Sequence, residues 1–241
     1  MERVESYENE KVLKEVWSRE YQDIIIESRQ HGEEDIEMEF EKQQQLYTKY
    51  SKIYDTVLRI TEVYAPYRLA EKINDLYKDN KDIKILDFGC GTGPVADNLK
   101  TFGFTDIDGA DCNQDLLDMA REKNVMKKLF VGRGVEGLLD IPSDTYDVVC
   151  ATGVFFGAVS YPGTECFEEI SRIIKSGGQL IILAKYSYLT ESYIDYDRIK
   201  KLEEKGVMKS LPYEIYAGYR TRYECESDPK SRAIFMRYAV L

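Results

Sequence analysis

Apolar residues recur along this chain in two rhythms, and the change between them falls near residue 80. In the first part they return every three or four positions. Val12, Leu13, Val16, Trp17, Tyr21, Ile24 and Ile25 make one such stripe. After the polar break at 31–35 come Leu46, Tyr47, Tyr50, Ile53, Tyr54, Val57 and Leu58, then Val63, Tyr64, Tyr67, Ala70, Ile73 and Tyr77. This spacing predicts amphipathic helices. Beyond residue 80 short apolar runs alternate with helical patterns. Strands are expected over 83–88, 106–111, 129–131, 146–151 and 179–185. Helices are expected over 95–102, 114–123 and 164–175, the last stopped by Ser176-Gly177-Gly178. Such alternation predicts a parallel sheet with helices on both faces.

The C-terminal part departs from that order. A helix over 195–205 with Gly206 as its cap precedes two strand-like runs, 213–226 and 232–241, joined by a turn at 227–230. They predict an antiparallel hairpin closing the parallel sheet. Two units follow: a helical cap or lid over 1–80 and a ligand-binding core over 81–241.

Composition narrows the class. With 241 residues and 43% hydrophobic content, the chain can bury a large core. It has no apolar run long enough for a bilayer, and the stretch Met1-Glu2-Arg3-Val4-Glu5 lacks the apolar centre of a signal peptide. A cytoplasmic location is expected. The net charge of −11 is concentrated at the front, where residues 1–41 carry 14 acids against 5 Lys and Arg. Neither part offers the basic surface that nucleic-acid binding needs. The five cysteines are an odd number and form no C-x-x-C, so free thiols are expected. Cys90, Cys112 and Cys150 fall at strand ends. A soft-metal cluster is one reading, but small apolar residues in a tight crevice is the preferred one, and no metal is expected.

The chemistry concentrates in Ile85-Leu86-Asp87-Phe88-Gly89-Cys90-Gly91-Thr92-Gly93, a strand ending in an acid, then a glycine loop, then a helix. The glycines at 89, 91 and 93 let the backbone approach a ligand that a Cβ would block. Gly91-Thr92-Gly93-Pro94-Val95-Ala96 satisfies the dinucleotide pattern G-x-G-x-x-G/A, and Asp111 lies about where a ribose-binding acid belongs. Asp87 tips the balance away from a dinucleotide, because a pyrophosphate would meet its carboxylate. S-adenosylmethionine (SAM) has no phosphate and carries a sulfonium and an ammonium.

The ligand is therefore expected over the carboxyl ends of the first, second and fourth strands. The cofactor-binding set is Tyr54, Asp87, Gly89, Cys90, Gly91, Gly93, Asp111, Cys112, Gly134, Val135 and Gly153. Asp111 is expected to accept hydrogen bonds from the ribose hydroxyls, and Asp87 to order the loop or meet the cofactor's ammonium. Backbone near Gly134 and Val135, after the third strand, is expected to serve the adenine. Tyr47, Tyr50, Tyr54 and Tyr64 share the cap's inner stripe. A tyrosine face near a sulfonium adds cation–π attraction, for which Tyr54 is the candidate. Tyr186, Tyr188, Tyr193 and Tyr196 are expected near the same mouth. His31 sits in the polar break, where exposure is expected rather than catalysis, and no catalytic residue is assigned.

Residues 81–185 resemble a class I SAM-dependent methyltransferase, with Asp87, Gly89, Gly91, Gly93 and Asp111 on its motif positions. That resemblance implies a Rossmann-like α/β fold with a seven-stranded sheet, a terminal antiparallel hairpin and, here, an N-terminal helical cap. His31-Gly32 with Asp35, Leu46-Tyr47 with Tyr54-Asp55, and the stretch from Tyr64 to Ala70 resemble elements of the methyltransferase-like family of the Williams–Beuren syndrome region. Thr48 and Ala65 depart from that pattern. The expected activity is methyl transfer from SAM to a small molecule by a monomer or weak dimer without a nucleic-acid or membrane partner. A protein acceptor, SAM binding without turnover, and a nicotinamide-dependent oxidoreductase are the alternatives.

Overall fold

The computed structural model describes residues 11–20, 36–61, 63–134, 140–155, 163–186, 194–216, 219 and 232–241. Its centre is a sheet. Strands β1 (Ile85–Phe88), β2 (Ile107–Asp111), β3 (Leu129–Val131), β4 (Tyr146–Thr152) and β5 (Ile174–Lys185) run parallel. Strand β8 (Ala233–Val240) lies antiparallel beside β5, and β6 (Met208–Ser210) and β7 (Glu214–Tyr216) both pair with the far edge of β8. The order is β3-β2-β1-β4-β5-β8-β6, with β7 beside β8.

Eight strands stand where seven were expected. β6 and β7 lie in series along one edge, and their registers on β8 differ by one residue: Ser210 faces Tyr238, while Glu214 faces Phe235. One extra residue is taken up at 211–213, around Pro212, which has no N–H for the ladder and suits an interrupted edge. The expected hairpin strand over 213–226 is thus ordered as β7 at its start. Its remainder, apart from Tyr219, lies outside the described residues.

The helices are α1 (residues 11–20), α2 (Ile36–Tyr50), α3 (Tyr54–Ile60), α4 (Ala65–Leu76), α5 (Pro94–Thr101), α6 (Gln114–Lys123), α7 (Phe167–Ile173) and α8 (Tyr196–Glu204). Local chemistry fixes several ends. The Asn113 side chain accepts from Leu116 N at the start of α6, and Asn124 closes that helix in the left-handed region at φ 53°. Asp195 caps α8 by accepting from Arg198 N at 2.9 Å. Two expected helices differ. The single stripe over 46–58 breaks at a 3₁₀ turn, Ser51–Ile53, where Ser51 Oγ donates to Thr48 O at 3.0 Å. The helix expected to reach 175 ends at Ile173, because Ile174 pairs with Tyr146 and the strand continues through the glycines.

Alternate strand residues serve opposite faces. Leu86, Val149 and Ile182 pack with Ile170 of α7 and Leu202 of α8. Ile85, Val148, Ile181 and Phe235 pack with Leu69 and Ile73 of α4, Leu99 of α5 and Leu117 of α6. Each such fully buried side chain contributes about 1.5–3 kcal/mol. α4 therefore lies on the sheet, while α2 and α3 reach the rim beside the carboxyl ends of β1 and β2. β1 sits between β2 and β4, so the chain leaves it in opposite directions and a crevice opens at that point. No described helix is long and apolar enough to cross a membrane.

Candidate functional site

The loop after β1 is shaped by glycine. Gly89, Gly91 and Gly93 have φ of +73°, +53° and +87°, a region costly for other residues. A Cβ on Gly89 would lie 2.1 Å from Val154 Cγ2. The chain leaving β4 thus presses against this turn and sets its position. A Cβ on Gly91 would lie 3.7 Å from Tyr54 Cε1, so the Tyr54 ring roofs the loop. Gly93 leads into α5, whose first residue is Pro94.

Two carboxyl groups meet beside this loop. Asp111, at the end of β2, accepts from Gly91 N and from Asn113 N, both at 2.8 Å, one on each oxygen. Burial pushes its carboxyl up, and these N–H groups hold it down. Each oxygen keeps a further lone pair for a ligand. Asp87 is 1% exposed, and its Oδ2 has no hydrogen-bond partner. Burial first, and the Asp111 charge second, push its carboxyl up to about 8. On β4, Thr152 shares the sheet face of Asp87, because Asp87 pairs with Cys150 two residues earlier. Thr152 Oγ1 is likewise buried and unpartnered. Unpaired buried polar atoms call for an explanation. A cationic ligand with a hydrogen-bonding end supplies one.

The rim helices are tied to the loops by side chains far apart in sequence. Thr92 Oγ1 donates to Asp55 Oδ1 at 2.5 Å, and Lys123 Nζ lies 2.5 Å from Asp55 Oδ2. Asn113 Nδ2 donates to Gln44 Oε1 at 3.0 Å, Gln44 Nε2 to Cys112 Sγ at 3.3 Å, and Thr48 Oγ1 to Asp115 Oδ2 at 2.6 Å. The Arg133 guanidinium stands 3.7 Å from the Phe40 ring centroid. Trp17 of α1 joins Tyr47, Tyr50 and Tyr54, with its ring 4.9 Å from that of Tyr50 and 6.0 Å from that of Tyr54. Sequence reasoning quoted Asp55 and Thr92 within motifs without giving them a role, and missed Gln44, Phe40 and Thr152. A polar, half-buried position on α2 such as Gln44 was the available signal.

The remaining expected residues divide. Asp87, Gly89, Gly91, Gly93, Asp111 and Tyr54 come together around one loop. Cys112 stands half-buried beside it, its thiol pushed up to about 12 by burial. Cys90 turns its thiol into the core, where burial pushes it well above its ordinary value. Gly134 is buried at φ +75° and Gly153 sits past β4 at +73°. Val135, His31, Tyr188 and Tyr193 lie outside the described residues. Tyr64 stacks on Tyr67 with centroids 5.0 Å apart. Tyr186 packs partly buried against the α7 face, and Tyr196 is exposed at the start of α8. A narrow crevice at the ends of β4 and β5 is lined by Thr152, Gly153, Val154, Phe155, Leu183 and Tyr219 among others. Among the described residues, no three His, Cys, Asp or Glu side chains gather in a way that could hold a metal ion.

Comparison with known proteins agrees with this geometry. A family described as "Methyltransferase domain" matches residues 62–204. The chain is 24% identical over 185 residues to a malonyl-[acyl-carrier protein] O-methyltransferase of Bacillus anthracis, covering 72% of this chain and 64% of that protein. It is 27% identical over 136 residues to human methyltransferase-like protein 27, covering 53% and 51%. The chain thus spans less than two thirds of the length of these relatives. Its fold matches that of a SAM-dependent methyltransferase from Aquifex aeolicus, with TM-score 0.55 and 17% identity over 80% of this chain and 98% of the other.

Proposed function

We propose, for a chain that belongs to the class I SAM-dependent methyltransferases and whose cofactor is SAM, that it transfers the methyl group to a small molecule received at the carboxyl ends of β4 and β5. The observation that carries this is Asp87: a buried carboxyl with an unpartnered oxygen beside a glycine loop. It suits a ligand bearing a cation and no phosphate. SAM supplies an electrophilic methyl group on a sulfonium. In this proposal the chain's own residues bind, align and exclude water. Asp111 accepts from the ribose hydroxyls while it holds the loop. Asp87 meets the ammonium, the glycine loop admits the backbone to close approach, and Tyr54 covers the sulfonium. Sulfonium charge disperses as the methyl moves, so a dry, aligned pocket contributes more than a strong acid.

The small-molecule assignment draws support from the names of the relatives; the crevice beside Thr152 is narrow, with about 160 Å³ of empty space. The relative from B. anthracis is named for a malonyl-[acyl-carrier protein] acceptor and relatives from Rickettsia bellii for ubiquinone biosynthesis. We place the reaction in the cytoplasm, in a monomer or weak dimer with no nucleic-acid or membrane partner. The test is incubation of the protein with labelled SAM and cell extract, followed by separation through a size filter. Label is expected in the small-molecule fraction. Label found only in macromolecules overturns the assignment in favour of a protein acceptor.

Residues 1–80 are proposed as a cap whose segment 1–60 orders as a lid, with α4 as its seat. The motive is that α2 and α3 meet the cofactor loops through exchangeable polar contacts such as Thr92–Asp55 and Asn113–Gln44 rather than through the main core. Hydrogen exchange should show protection over 47–57 on adding S-adenosylhomocysteine. Equal exchange with and without it would leave the cap a static element.

A further inference from the structure

One cationic cluster has no part in the site so far, and it lies on the α4 face of the sheet. Arg68, on the first turn of α4, holds its guanidinium between two rings, 5.3 Å from the Tyr64 centroid and 5.7 Å from that of Tyr216. Its Nε is buried and has no hydrogen-bond partner. The nearby acid is already committed. Both oxygens of Glu214 lie 2.6 Å from Lys72 Nζ, and one accepts from the Tyr216 hydroxyl at 2.5 Å. Arg237 approaches Glu214 at 3.7 Å, and its own Nε is also buried without a partner. Two cations, Lys72 and Arg237, therefore share Glu214, while Arg68 lies by Tyr216, in a chain of net charge −11. A buried, unpartnered guanidinium N–H calls for an explanation, and a planar carboxylate is the acceptor its fork matches.

We propose that Arg68 anchors a carboxylate of the methyl acceptor, held between Tyr64 and Tyr216 with the reactive atom directed toward the Thr152 crevice. This rests on the small-molecule methyltransferase reading above. Two placements support it. Tyr219, three residues beyond Tyr216, lines that crevice. The cofactor's own carboxylate does not fit this position. The order β1-β4-β5-β8-β7 separates Asp87 from Tyr216 by four strand spacings, roughly 19 Å at about 4.8 Å each, while the ammonium and carboxylate of a methionine share one carbon. The rings flanking Arg68 further suit an acid with an apolar or aromatic body. The acceptor class is thus a compact aromatic or apolar carboxylic acid, methylated at a different atom.

The test uses the full chain saturated with S-adenosylhomocysteine, with benzoate as the anionic probe and benzyl alcohol as its neutral counterpart, read by ligand-observed magnetic resonance. Benzoate is expected to bind in the millimolar range and at least tenfold more tightly than benzyl alcohol. Arg68→Gln should remove that preference, and Arg68→Lys should restore part of it. S-adenosylhomocysteine affinity should stay within threefold of wild type in both variants, which also shows that they fold. Benzoate bound no better than benzyl alcohol, or equally well by Arg68→Gln, overturns the proposal, and so does a loss of S-adenosylhomocysteine affinity in Arg68→Gln with Arg68→Lys at the wild-type value. In the extract assay, labelled product should be retained on an anion-exchange resin. Label confined to the unretained small-molecule fraction overturns the Arg68 assignment. Label confined to macromolecules overturns the small-molecule reading instead, and the benzoate comparison then decides Arg68 by itself.

Discussion

Replacing Asp111 with alanine is expected to weaken S-adenosylhomocysteine binding by about 30- to 900-fold, roughly 2–4 kcal/mol for the loss of hydrogen bonds to a charged acceptor. The residue has two tasks. It is assigned to the ribose hydroxyls, and it accepts from Gly91 N and Asn113 N at 2.8 Å. Alanine therefore removes the ligand contact and also leaves two loop N–H groups without their acceptor. Asp111→Asn should recover little, because its amide NH₂ would face one of those N–H donors. Isothermal calorimetry reads both variants. A loss smaller than threefold for Asp111→Ala would remove this carboxylate from the binding site.

The second large effect is on pH. The carboxyl of Asp87 is pushed up to about 8 by burial and then by the Asp111 charge, so without a cationic ligand it is mostly protonated at neutral pH. In the folding equilibrium a raised carboxyl contributes stability below its unfolded value near 3.8, and that contribution is lost as pH rises toward the folded value. Cofactor binding has the opposite sign. An ammonium beside Asp87 favours the charged form, so binding below pH 8 releases a proton and strengthens as pH rises. Between pH 6 and pH 8 the affinity for SAM should rise by up to about 50-fold, because a carboxyl titrating at about 8 is still half protonated at the upper end. Calorimetry at pH 7 in buffers of different ionisation heat should find close to one proton released. Asp87→Asn should flatten the profile. A flat wild-type profile without proton release would place the ammonium elsewhere.

Much of this architecture was legible because local signals and tertiary demands agree. The helix over 114–123 and the strand over 129–131 occupy the predicted residues. Asn113 and Asn124 supply the helix ends, and a short apolar run after a helix has few alternatives in an α/β sheet. Legibility failed where pairing overrides punctuation. Gly177 and Gly178 read as a stop, yet β5 passes through them because Ile174 already pairs with Tyr146. β6 and β7 are three residues each, and their places depend on partners in β8 that lie 17 to 32 residues downstream.

The site divides in the same way. The loop glycines, Asp87 and Asp111 could be read because one strand-loop-helix unit and the next strand carry them. Tyr54 could be placed near the loop because the cap's stripe had to face the sheet. Asp55 with Thr92, Gln44 with Asn113, and Arg68 with Tyr216 are contacts across 37 residues or more. Single-sequence periodicity says which face a residue shares, not which distant side chain it meets.

Calorimetric titration of the wild-type chain with SAM, S-adenosylhomocysteine and NAD(H) tests the central claim most directly, because the glycine loop and Asp111 suit both cofactor classes and Asp87 separates them. The account predicts micromolar binding of SAM and S-adenosylhomocysteine and no detectable heat with NAD(H). Binding of NAD(H) with no response to SAM would contradict it.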